Sequence, residues 1–260
     1  MESREFSRAE CLRAADRPER LRREGPFLES LLERSPRGGL VIDAGCGPGA
    51  HARFLSSRGE RTLGIDRSRA ALAEAAAAGP GPLWCRGDLR RLPVRSEVAR
   101  AVLCLGNTLV LLEEEREILE ALAEFCRVLV AGGMLLVQVL NYIPLRRENR
   151  RHLPLDFRPA GGRAGDRGPG GSELVYLRLL DFADPEHAWF HAVVLERRPG
   201  SEAAAIREST VRRIRTLDHD RLRGLAEEAG FRDVSLFGDY RPSPFDPASS
   251  PDVILTAVRP

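Results

Sequence analysis

Three short apolar runs early in the chain each lead into an aspartate. "LVIDAG" carries Asp43, "RTLGID" ends on Asp66 and "PLWCRGD" ends on Asp88. Helical patterns lie between them. One starts near Gly49 and turns Phe54 and Leu55 inward, and an alanine-rich one runs from Arg69 to Ala78. Runs this short and this apolar suit strands buried on both faces. Strands that alternate with helices form a parallel sheet, because each crossover must return over one face before the next parallel strand can start. All strand C-termini then share one edge, where such sheets bind ligands, and the three aspartates gather there.

The scheme continues through "RAVLCLG", a helix from Glu113 to Leu129 with a stripe of Ile118, Leu119, Leu122, Phe125 and Leu129, and a fifth strand, "GMLLVQVLN". Upstream, residues 7–34 read as helical, with Phe27, Leu28, Leu31 and Leu32 on one face until "SPRGG" interrupts. After Asn141 the pattern changes. "YIPLRRENRRHLPLDFRPAGGRAGDRGPGG" is rich in Arg, Pro and Gly and reads as an irregular cover. Three strand-like runs follow without helices: "ELVYLRLLDF", "AWFHAVVLERR" and "STVRRIRTL". Arginines alternate with Val211, Ile214 and Leu217, which predicts a small antiparallel sheet with one wet face. "DHDRLRGLAEEAGF" is a helix with Asp218 as N-cap and Gly230 at its end. "DVSLFGDY" and "VILTAV" are then two last strands, paired antiparallel at the sheet edge.

The expected fold is α/β: a mostly parallel seven-stranded sheet with helices on both faces and an antiparallel β insertion after strand five. The expected units are a helical cap over residues 1–39, a ligand-binding core over 40–142, a substrate-covering insertion over 143–217, and a last helix and strand pair over 218–260.

Composition narrows the chemistry. The 260 residues carry a net charge of +2, so no global field draws the chain onto nucleic acid or an anionic membrane. All 40 basic residues are arginine, which removes Schiff-base and phosphate-loop lysine chemistry. Cys11, Cys46, Cys85, Cys104 and Cys126 form no C-x-x-C pair, as suits a reducing compartment. The N-terminal stretch is charged and lacks a secretory apolar core, and no segment has the length and apolarity of a membrane span. A cytoplasmic location follows as the expectation. No carboxylate cluster suggests magnesium, and no metal is expected.

The nature of the ligand turns on "VIDAGCGPGAHA". Glycines at 45, 47 and 49 would let the backbone lie against a ligand that a Cβ would block. Gly45-x-Gly47-x-x-Ala50 satisfies a relaxed dinucleotide fingerprint. Asp43, however, would repel a pyrophosphate and favour a cation or an amino group. Asp66 suits two vicinal ribose hydroxyls, and Asp88 suits an adenine amino group. A ligand with a positive charge, a ribose and an adenine fits these acids better than one with two phosphates.

The ordered set resembles the class I S-adenosylmethionine-dependent methyltransferases. "VIDAGCGPGAHA" is similar to their first motif, "LGIDRS" to the second, "RGDLRRLP" to the third, "AVLCLGNTLVLL" to the fourth, and "LVAGGMLLVQVLNY" to their glycine turn into strand five. The resemblance covers Leu40 to Tyr142 well and the C-terminal helix and strands more loosely. It implies a Rossmann-like fold with S-adenosylmethionine as cofactor and S-adenosylhomocysteine as product. It also implies that Asp43 and the Gly45, Cys46, Gly47 and Gly49 backbone face the methionine moiety. Asp66 would take the ribose hydroxyls, Arg67 would lie beside the adenine, and Asp88 and the Leu89 N–H would meet its edge. Leu105 and Gly106 would sit near the sulfonium.

The fourth motif bears on the methyl acceptor. Leu105-Gly106-Asn107-Thr108 stands where amide and base methyltransferases carry Asp/Asn-Pro-Pro-Tyr/Phe. "CLGNTLVLL" with "QVLNY" resembles instead the glycine and sarcosine N-methyltransferase branch, which implies a small-molecule acceptor methylated at nitrogen or oxygen. Methyl transfer is an in-line displacement that needs positioning and exclusion of water. Asn107 and Tyr142 are the candidate catalytic groups, and Asn141 a candidate for holding the acceptor. Arg22 or Arg23 would bind a carboxylate, and His152, His187 and His191 are candidate bases. The expected partner is a small molecule rather than nucleic acid or membrane, with the chain a monomer or homodimer. An RNA methyltransferase is the alternative, using the arginines from Arg146 to Arg163, although these have only Phe157 as an aromatic companion. A non-catalytic binder of the same cofactor is a further alternative.

Overall fold

The computed structural model describes residues 18–159, 171–241 and 243–260. Residues 7–17 of the expected N-terminal helix, Cys11, Arg163 and residues 160–170 of the expected cover lie outside the described residues.

Helix α1 (Pro18–Arg34) leads into β1 (Leu40–Ala44), α2 (Ala50–Ser57), β2 (Thr62–Asp66), α3 (Arg69–Ala77), β3 (Leu83–Arg86) and β4 (Ala99–Cys104). Helix α4 (Glu115–Val128) then precedes β5 (Leu129–Leu140). The order across the sheet is β3-β2-β1-β4-β5, all parallel, followed by β11 (Asp252–Val258), antiparallel to β5, and β10 (Arg232–Phe237), antiparallel to β11. The chain winds one way from β1 to β3 and the other way from β4. A crevice therefore opens between β1 and β4 at the C-terminal edge.

Alternation along the strands feeds two cores. Ile42, Val102 and Val137 face α4 and α6 (His219–Glu228), meeting Ile118, Phe125 and Leu222. Val41, Leu103 and Leu136 face the other side, where Leu28 and Leu31 of α1 and Leu55 of α2 cover them. Local chemistry starts the helices. The Ser68 hydroxyl accepts from the Ala71 N–H to begin α3, and Asp218 accepts from the Arg221 N–H at 2.8 Å to begin α6. Glu114 and Glu117 form a capping box on α4, satisfying donors that a helix start leaves open.

Four details depart from the expectations. Leu129 is the first residue of β5 rather than the end of a helical stripe, since the strand extends back through the glycine pair to meet Ala99. Val211 and Ile214 lie on opposite faces: an odd spacing in a strand reverses direction, so Val211 is exposed and Ile214 buried. The stretch after Asn141 opens with a short helix, α5 (Tyr142–Arg147), capped by the Asn141 side chain. The inserted sheet has four strands rather than three, in the order β6 (Asp156–Pro159), β7 (Glu173–Phe182), β8 (His187–Arg197) and β9 (Ala204–Arg215). Its inner face carries Leu180, Phe190 and Ile214 into the main core beside the turn at Leu109–Leu111. Among the described residues no helix is long and apolar enough to cross a membrane.

Candidate active site

The glycine turn after β1 is tied to the end of β2. Gly45 and Cys46 donate their N–H groups to the Ile65 carbonyl at 2.7 and 3.0 Å, and Gly47 donates to Asp66 Oδ2 at 2.8 Å. Asp66 Oδ1 accepts from the Ser68 N–H at 2.8 Å, while the cap of α3 is left to Ser68. Asp66 therefore holds the turn as well as facing the crevice.

Two of the three glycines answer to the protein itself. A Cβ on Gly45 would come within 2.3 Å of the Thr108 methyl, and one on Gly49 within 2.1 Å of the Trp84 ring. Both residues also have left-handed φ, 77° and 80°. At both positions a neighbour, Thr108 after β4 or Trp84 of β3, crowds the turn as well; of the two, Gly45 lines the crevice and Gly49 does not. Gly47 lines the crevice.

A cavity of about 430 Å³ occupies the crevice. Asp43, the Gly45–Cys46–Gly47 turn, Asp66, Arg67, Asp88, Leu89, Leu105, Gly106 and Asn107 all line it. Asp43 is buried and accepts from the Ala52 N–H at 3.2 Å; burial pushes its carboxyl up. Asp88 is gripped by Arg90, whose Nε and Nη2 donate to its two oxygens at 2.9 and 2.8 Å. Those hydrogen bonds hold its carboxyl below the usual range.

The comparisons match this arrangement. Residues 41–133 match a methyltransferase domain family. A glycine/sarcosine N-methyltransferase of Parasynechococcus marenigrum is 30% identical over 225 residues, covering 84% of this chain and 71% of that protein. The chain belongs to the class I S-adenosylmethionine-dependent methyltransferases.

Other relatives of this family member are matched over shorter spans. A malonyl-(acyl-carrier protein) O-methyltransferase of Hamiltonella defensa is 31% identical over 100 residues, 38% of this chain and 37% of that protein. Across three such enzymes the match spans 37%, 51% and 59% of their length, so the chain spans about half of these curated relatives. Among solved structures, an amino pentose methyltransferase of Micromonospora echinaspora with S-adenosylmethionine bound superposes with a TM-score of 0.71 over 100% of both chains. At 18% identity that likeness is one of fold.

Several predicted residues of this family member lie elsewhere. Arg22 is exposed and away from the cavity, whereas Arg20 and Arg23, on the next positions round α1, line it. Asn141 is buried and spent on structure: it caps α5 and donates to the carbonyls of Pro247 and Ser250. Tyr142 is buried outside the cavity, its hydroxyl 2.8 Å from Asn107 Nδ2. Asn107 does line the cavity, but its Oδ1 accepts from the Leu140 N–H at 2.9 Å and its backbone is left-handed, with φ of 64°. His152 is exposed and His191 half-buried; neither lines the cavity. His187 is held by Asp184 and Arg213, away from the cavity.

The structure supplies groups that no motif marked. Glu24 is buried between Arg20 and His51. Gln138, Tyr240 and Asp252 line the cavity from β5, the segment after β10 and β11, and Phe190 and Ile214 from the inserted sheet. Gln138 had a signal: it is a polar residue within an otherwise apolar buried strand, and such groups are kept only with partners.

Proposed function

We propose that this chain binds S-adenosylmethionine along the β1–β2 edge of the cavity and transfers its methyl group to a small-molecule acceptor, at nitrogen or oxygen. One observation carries the reading. Asp66 couples the glycine turn to the nucleoside side of the cavity, with Asp43 and Asp88 lining the same space. The cavity suits the ligand chemically: a buried carboxylate at Asp43 offsets a cationic centre, and Gly47 offers backbone without a Cβ. Bound there, S-adenosylmethionine would supply an electrophilic methyl on a sulfonium.

The chain's own residues would bind, orient and exclude water. Asp66 would accept from the ribose hydroxyls, and Asp88 and the Leu89 N–H would meet the adenine. The inner face of the four-stranded sheet, through Phe190 and Ile214, would close the acceptor side, which favours displacement in a dry, oriented site. A small-molecule partner and a cytoplasmic location belong to the same reading.

Calorimetry with S-adenosylmethionine, S-adenosylhomocysteine and NAD tests it. The first two are expected to bind and NAD not. Asp66→Ala is expected to weaken both by roughly 100-fold, from two lost charge-assisted hydrogen bonds. Absence of binding, or unchanged affinity in that variant, would overturn the reading.

A further inference from the structure

Five carboxylates line the cavity, and they are not equivalent. Glu24 is held by Arg20 and His51, Asp88 by Arg90, and Asp66 by two backbone N–H groups. Asp43 lies behind the glycine turn, on the side reserved above for the cofactor's methionine moiety.

Asp252 is different. It opens β11 opposite Leu140 and accepts from Gln138 Nε2 at 2.7 Å through Oδ1. Its Oδ2 has no hydrogen-bond donor or arginine ion pair among the described residues. Gln138 cannot turn away to leave it. Gln138 Oε1 accepts from the N–H groups of Gly106 at 2.8 Å and Asn107 at 3.2 Å, so its amide nitrogen must face Asp252. Asp252 is thereby held one side chain away from the end of β4. The same cavity is also lined by the apolar side chains of Leu111, Leu140, Leu153, Phe190 and Ile214.

We infer that Asp252 seats the cationic nitrogen of an amine acceptor with an apolar body and takes that nitrogen's proton. The inference rests on the cofactor reading above. A half-used carboxylate partly withdrawn from water attracts a cation strongly and gains little from an alcohol. The proton passes from the ammonium nitrogen to Asp252 Oδ2, leaving the nitrogen lone pair free; water at the cavity mouth later takes the proton from the acid. Burial pushes Asp252 up to about 6, against the Gln138 hydrogen bond and the charges of Arg20 and Arg23, with Glu24 adding to the rise. Tyr142 and Tyr240 face it as well. Such a group is ionised at neutral pH and accepts protons better than an ordinary aspartate.

The test uses the full chain saturated with S-adenosylhomocysteine, with benzylamine, benzyl alcohol and benzoate as calorimetric probes. Benzylamine is expected to bind at least tenfold tighter than benzyl alcohol and benzoate weakest, with amine affinity falling as pH drops below about 6. Asp252→Asn, which still accepts from Gln138, is expected to lose the amine preference while keeping wild-type affinity for S-adenosylhomocysteine. A preference that survives in the variant, or no amine preference in the wild type, overturns the inference. If the variant fails to fold, the wild-type pH profile decides, and a flat profile overturns the inference. Lack of S-adenosylhomocysteine binding overturns the cofactor reading and this inference with it; its binding without amine preference overturns this one alone.

Discussion

Glu24 Oε2 in α1 lies 2.7 Å from His51 Nε2 in α2, joining two helices whose residues are 27 positions apart. Arg20 donates to the other Glu24 oxygen at 2.5 Å, and Glu24 is almost wholly buried. Burial acts to raise its carboxyl, but the His51 hydrogen bond and the Arg20 charge outweigh it and hold it below the usual range. A depressed carboxyl stabilises the fold above the ordinary glutamate value and loses that contribution as pH falls through the folded one. Glu24→Gln leaves Arg20 and His51 without an anion and is expected to cost about 3 kcal/mol at pH 7. In urea unfolding, the gap between wild type and variant should begin to narrow below pH about 4, where the unfolded carboxyl protonates, and close as pH falls through the lower folded value. Equal midpoints at pH 7 would contradict the assignment.

Gly49 and Trp84 share one space, and the prediction there concerns their coupling. Gly49→Ala adds a Cβ 2.1 Å from the ring at a left-handed φ of 80°. The backbone contributes roughly 1–2 kcal/mol of the loss and the overlap roughly 1–3 kcal/mol more. In a Trp84→Ala background only the backbone part should remain. A double-mutant cycle should therefore show coupling of at least about 1 kcal/mol. Additive losses would mean that the ring moves aside freely.

Tyr142 is expected to act through Asn107 rather than on substrate. Tyr142→Phe removes the partner of Asn107 Nδ2, which should cost about 1–2 kcal/mol of stability. If the chain has the activity proposed above, kcat should fall by less than about tenfold, because a proton-transferring group would contribute roughly 100-fold or more. A loss of that larger size, with stability unchanged, would restore Tyr142 as a catalytic residue.

Asp88 and Arg90 give a pH prediction on the nucleoside side. The Arg90 hydrogen bonds hold the Asp88 carboxyl down, so Arg90→Ala should raise its titration toward the ordinary aspartate value. Carboxyl NMR measures this directly. Because both side chains are more than a third exposed, the stability change should stay within about 1 kcal/mol, present above pH about 4 and lost as pH falls further. An unshifted resonance would show that Arg90 leaves Asp88 in solution.

The legible parts of this chain are those with local periodicity. Apolar runs ending at Asp43 and Asp66, the cap at Asp218 and the arrangement of parallel and antiparallel strands all followed from patterns a few residues long. Errors arose where two local signals overlapped. Leu129 continues the helical stripe of α4 and also begins β5, and only its pairing opposite Ala99 decides between them. Asn141 and Tyr142 stand at the right end of β5 for chemistry, yet one caps α5 and the other supports Asn107.

By itself, the sequence determined the alternation of strands and helices, because burial and turn chemistry act through neighbours in the chain. It thereby determined that three acids and a glycine turn would share one edge. Only the tertiary structure decided which cavity groups keep a free oxygen. Glu24, His51, Gln138, Tyr240 and Asp252 come from separate elements, and no periodicity links their positions. Strand order and helix crossings bring them together, and the arginines, amides and backbone donors met there decide which acids are neutralised and which remain to meet a ligand.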